Sequence, residues 1–89
     1  MDVTIRQLII RLCHESVWME KAIQMDFPPT SGMTISFSRT ASIEAETIVY
    51  DVEEKRYIVY PAQWTVSRDE TTEEVVEYFK KDGFVVTGR

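Results

Sequence analysis

Hydrophobic and polar positions change period several times along this 89-residue chain, and each change marks an element. Between residues 2 and 26 there is neither Gly nor Pro. At 100° per residue, Ile5, Leu8, Ile9, Leu12, Met19 and Ile23 fall within a sector of about 100°, which predicts an amphipathic helix. Thr4 followed three places on by Gln7 fits a capping box at its start. Pro28 disfavours helical geometry at Phe27 and so places the end near Met25 or Asp26. The competing reading makes "VTIRQLII" a strand with Val3, Ile5 and Ile9 on one side. Gln7 interrupts that alternation, and the helix is preferred.

After the loop "FPPTSG", the segment "MTISFSRT" alternates. Met33, Ile35 and Phe37 take one side and Thr34, Ser36 and Ser38 the other, a half-buried strand with one wet face. "TASIEAE" reads as a connector. "IVYDVEEKRYIVYP" reads as two strands around a turn at Glu53–Glu54. That turn opposes Asp51 to Arg56, Tyr50 to Tyr57, Val49 to Ile58 and Ile48 to Val59. Opposed residues share a face, so an ion pair and a tyrosine stack are expected. Glu-Glu is poor chemistry for a two-residue turn and points to a longer loop. Tyr60 falls on the Val49/Ile58 face.

"RDETTEEVVEYFKKDGF" predicts a second helix. Thr71 and Glu74 make a capping box, acids fill the first turn, and Lys80 and Lys81 close the last. Val75, Val76 and Phe79 form its buried stripe. Gly83 ends it in a left-handed cap, with Phe84 packing back. "FVVT" is a final strand, which the preceding helix could bring parallel to a neighbour. The expected fold is α+β, one domain over residues 1–89 in the order α-β-β-β-α-β, with a mainly antiparallel sheet and the helices on one face. The order α-β-β-β-α resembles that of double-stranded-RNA-binding domains. Glu73, Glu74 and Glu77 stand where a basic cluster is expected in the second helix, so the resemblance stops at element order.

Composition narrows the function classes. The chain is 44% hydrophobic and 28% charged, an ordinary globular balance. Its ten Lys+Arg against fifteen Asp+Glu give a net charge of −5, which opposes sequence-independent binding to a nucleic-acid backbone. Cys13 is the single cysteine, so no intrachain disulfide is expected, and the arginines within the first apolar run argue against a signal peptide. No stretch reaches the ~18 apolar residues of a membrane span. A cytoplasmic protein without a membrane partner is the expectation.

No catalytic constellation stands out. "CHE" at 13–15 joins a thiol, the sole imidazole and a carboxylate, but neighbouring helical residues point about 100° apart and cannot converge. One Cys and one His cannot build a structural zinc site. The acids around residue 53 lack calcium-loop spacing, and three glycines leave no phosphate loop. No enzyme activity, metal or cofactor is expected.

Two contact surfaces remain. The first is the outward side of the hairpin, Val49, Ile58 and Tyr60. The second is a further apolar row on the first helix, Ile10, Cys13 and Val17. The expected function is protein–protein contact, masking or inhibiting a partner that is basic or a second copy of the chain. Base stacking on Tyr50, Tyr57 and Trp64, with Arg39, Arg56 and Arg68 at phosphates, is one alternative. A homo-oligomeric structural protein is another.

Overall fold

A computed structural model describes residues 1–12, 15–37 and 42–89. In chain order these form β1 (Asp2–Arg11), β2 (Glu15–Gln24), β3 (Thr34–Ser36), β4 (Ser42–Glu44), β5 (Thr47–Asp51), β6 (Arg56–Tyr60), β7 (Trp64–Thr65), α1 (Thr72–Lys81) and β8 (Val85–Gly88). The expected α+β order is corrected to a mostly β fold with a mixed six-stranded sheet and, among the described residues, one helix.

The correction lies at the N-terminus. The anticipated first helix is a long antiparallel hairpin, with β1 and β2 paired without interruption from Asp2↔Gln24 to Arg11↔Glu15. Val3, Thr4, Ile5, Ile9, Ile10, Val17 and Ile23 supply β-branched side chains, which suit a pleated surface better than a helical one. Gln7, the residue that spoiled the alternation, occupies the buried side with Val3, Ile5 and Ile9. Its Nε2 donates to the carbonyls of Leu8 and Ala62, each at 2.9 Å. Parallel pairing of β6 with β1 stops at Ile5, and β7 rejoins β1 at Ile9. The amide of Gln7 serves the gap, so a buried polar group there is satisfied. Thr4 and Gln7 consequently cap no helix.

The main sheet runs β5-β6-β1-β2-β8, with β7 beside β1 beyond the end of β6. β1 is parallel to β6 and β7, and the other pairs are antiparallel, including β2 with β8. The β5–β6 register is the one read from the sequence, Asp51↔Arg56 through Ile48↔Val59. The Tyr50 and Tyr57 rings meet at 4.8 Å, tilted 59° to each other rather than stacked. The expected Asp51–Arg56 ion pair is replaced. Asp51 Oδ1 accepts from the Glu53 and Glu54 amides and closes the turn, while Arg56 donates to Thr4 Oγ1 at 3.0 Å.

Two short elements cover one face of this sheet. α1 lies over one part, where Val75, Val76 and Phe79 join Ile5, Ile9, Val17 and Met19. Thr71 caps it by accepting from the Glu74 amide, and Gly83 follows at a φ of 90° that favours glycine. Phe84 returns onto Phe79 at 5.2 Å. The other part is covered by β3 and β4, a separate two-stranded sheet rather than a strand of the main one plus a connector. Ile35 and Ala45 pack there on Val3 and Val59, and Phe37 touches both halves of the core.

Candidate protein-contact surface

Strand geometry sends alternate residues to opposite faces, so the buried set Val3, Ile5, Gln7 and Ile9 fixes what lies on the other side. There β1 presents Thr4, Arg6, Leu8 and Ile10, and β2 presents Ser16, Trp18, Glu20 and Ala22. Val49 of β5, Ile58 and Tyr60 of β6 and Val85 of β8 complete the face through their registers. Leu8, Ile10, Trp18, Val49 and Tyr60 lie outside the hydrophobic core, and Ile58, though buried, belongs to neither of its two clusters. Among the described residues no helix or second sheet covers them.

Arg6 is the centre of this open face. Its guanidinium carbon sits 5.3 Å from the Trp18 ring centroid and 5.6 Å from that of Tyr60. The two rings meet edge to face at 6.2 Å. Arg6 Nη1 donates to the Tyr60 hydroxyl at 3.0 Å, and Nε lies 3.6 Å from a Glu20 carboxylate oxygen. The latter is an ion pair beyond hydrogen-bond length, and this buried Nε has no hydrogen-bond partner. Three strands contribute. Arg6 faces Glu20 across the hairpin, and β6 brings Tyr60 alongside by its parallel register. Such an arrangement fixes a cation between aromatic rings, a contact worth roughly 0.5–2 kcal/mol.

The expected contact residues separate. Val49, Ile58 and Tyr60 do share one face, opposite the Tyr57 side that packs on the core. Val49 is 44% exposed, whereas Ile58 is buried at 7%, so the hairpin's outward row offers less open surface than expected. The second row dissolves because its helix does not exist. Ile10 is half-buried on the open face, Val17 is fully buried on the covered one, and Cys13 lies outside the described residues. His14 lies outside them too, so "CHE" has no described geometry. Arg6, Leu8, Trp18 and Glu20 were missed. For Arg6 and Leu8 the signal was the even-numbered side of the strand reading of "VTIRQLII", and Trp18 and Glu20 join them through the hairpin register.

The residues of the nucleic-acid alternative are not gathered at one place. Tyr57 aligns with Val3 on β1 and Trp64 with Ile9, six residues apart and therefore about 20 Å. Trp64 packs on Phe79 at 5.5 Å and near Tyr78 at 6.0 Å, away from the tyrosine pair. Arg56 is engaged with Thr4, and Arg39 lies outside the described residues. Among the described residues no cluster of His, Cys, Asp or Glu has the arrangement of a metal site, and no helix is long and apolar enough to cross a membrane. No family model, curated protein or solved structure matches this chain.

Proposed function

We propose that this protein is a small, non-enzymatic binding module that docks on another protein through the open face of its sheet and masks or inhibits it there. The Trp18–Arg6–Tyr60 cluster carries this reading. Trp, Tyr and Arg are the residue types that most often supply the energy of protein interfaces, and here they are gathered on a face that no helix or second sheet covers among the described residues. Val49 and Val85, at 44% and 60% exposure, extend apolar surface to either side. Acidity and the separation of Tyr57 from Trp64 weigh against nucleic acid as the partner. No cofactor enters this reading, and a cytoplasmic setting suits a chain with one cysteine.

Comparative affinity capture with the parent, Trp18→Ala and Val49→Lys tests it. Both variants should keep the parent's far-ultraviolet circular dichroism and cooperative unfolding, and lose the same captured protein. If the partner is a second copy, both should sediment as monomers where the parent does not. Capture and sedimentation unchanged in both folded variants would sink the open-face reading.

A further inference from the structure

We propose that the outer edge of β5 receives an extended, Lys- or Arg-flanked segment of a partner protein as an added strand. This surface is the rim of the sheet; it shares Val49 with the open face, but it rests on the unpaired backbone of β5 and not on the Trp18–Arg6–Tyr60 cluster.

β5 ends the strand order, with β6 on one side only. Alternate residues of an outer strand direct their N–H and C=O groups away from the sheet, a ready template for another chain. Natural edges are usually blunted by Lys, Pro, a bulge or extreme shortness. Thr47–Asp51 contains no Lys and no Pro, and its register with β6 runs unbroken. The opposite rim differs. β8 is short, ends in Gly88, and shifts register against β2 between Trp18 and Met19. Exposed apolar side chains also gather at the β5 rim, where Val49, Tyr50 and Val52 are 44%, 49% and 73% exposed.

Charge selects the occupant. Glu44 and Glu46 precede the strand and Glu53 and Glu54 follow it, all four exposed. Lys55 is the only basic residue from 44 to 55. Two copies of β5 paired antiparallel about Val49 would match well in the middle, with Ile48 against Tyr50. Their ends would bring Glu46 of one copy toward the Glu53–Glu54 turn of the other, and like charges beside paired strands oppose pairing. A strand with cations at both ends meets carboxylates at both ends instead. Backbone hydrogen bonds then supply affinity, alternate side chains supply fit, and the flanking charges supply selectivity.

The test uses isotope-labelled full-length protein and two short synthetic peptides of alternating valine and threonine, one flanked by lysines and one by glutamates. Nuclear magnetic resonance should show amide shifts and slowed hydrogen exchange confined to residues 47–51 and their β6 partners on adding the lysine peptide. The glutamate peptide should bind roughly tenfold more weakly or worse, and about 1 M salt should erase most of that difference. The combined Glu46→Gln, Glu53→Gln, Glu54→Gln variant should bring the two peptides together. Amide changes centred on β8 or on Trp18, equal binding of both peptides at low salt, or no response at millimolar lysine peptide would each overturn the proposal. So would a Gln variant that self-associates through β5 while the parent ignores the lysine peptide, since the carboxylates would then only guard the edge.

Discussion

The two faces of the main sheet reach burial by different means. On the covered face Ile5, Ile9, Val17 and Met19 are fully hidden by a second layer built from α1, β3 and β4. On the open face Thr4 and Ile58 are nearly as hidden, at 6% and 7% exposure, with no second layer above them among the described residues. Long side chains lying along the sheet do the covering there. Arg56 reaches across to the Thr4 hydroxyl, and Arg6 lies against Trp18 and Tyr60. The aliphatic stems of such side chains shield apolar surface, and here the guanidinium groups themselves are partly enclosed, with Nε of each buried. Removing a layer would unfold the covered face, whereas side chains on the open one can move aside for a partner. The difference separates a face buried by a second layer from one shielded by its own side chains.

Deleting a ring from each face should break that symmetry most visibly. Phe79 is buried between Phe84 at 5.2 Å, Trp64 at 5.5 Å and Tyr78 at 5.7 Å. Phe79→Ala should cost about 3–5 kcal/mol in chemical denaturation, a large part of a small domain's stability. Trp18→Ala removes a larger ring but from a half-open setting, and it should cost clearly less. Equal losses would mean that the open face is as structural as the covered one.

Gln7 gives an intermediate effect, because it is a polar residue on the apolar side. Gln7→Ala would leave the Leu8 and Ala62 carbonyls without their donor in a buried gap. A loss of about 1–3 kcal/mol is expected, and Gln7→Glu should be worse because a carboxylate cannot donate to them. A neutral Gln7→Ala would show that water takes over both carbonyls.

The same residue explains where the sequence misled. Helix and strand readings of residues 3–10 differ mainly in the side on which one polar residue falls. Gln7 pointed to a helix because its long-range partner, Ala62, is invisible in the local pattern. The run of β-branched residues was the better guide. By contrast, α1 was legible because its signals are local. Thr71 bonds the amide three residues on, and Gly83 follows the last turn. The β5–β6 register was legible for a similar reason, since one turn fixes every opposed pair. What escaped was tertiary: the separate β3–β4 sheet, and the Arg6–Trp18–Tyr60 cluster, which needs a parallel pairing between strands far apart in sequence.

The smallest effect should come from the ion pair that ties the chain's end to the helix. Arg89 Nη1 donates to Glu73 Oε1 at 2.6 Å, and that hydrogen bond holds the Glu73 carboxyl below its ordinary range, with the charges of Arg89 and Lys80 adding to it. A carboxyl lowered in the folded state stabilises above its unfolded pKa, and the contribution fades as pH falls through the lower folded value. The window therefore lies below about pH 4.3, the ordinary value for Glu. Both partners stand in solvent, where side-chain entropy and salt offset most of the attraction. Glu73→Gln should melt slightly below the parent at neutral pH and low salt, and indistinguishably from it in about 1 M salt or once the parent's carboxyl is protonated. Glu73 also sits in the first turn of α1, where a negative charge favours the helix dipole. Arg89→Gln separates the two contributions, since it removes the pair but keeps the charge at the helix start. If Glu73→Gln costs more than Arg89→Gln, the excess belongs to the helix and not to the anchored terminus.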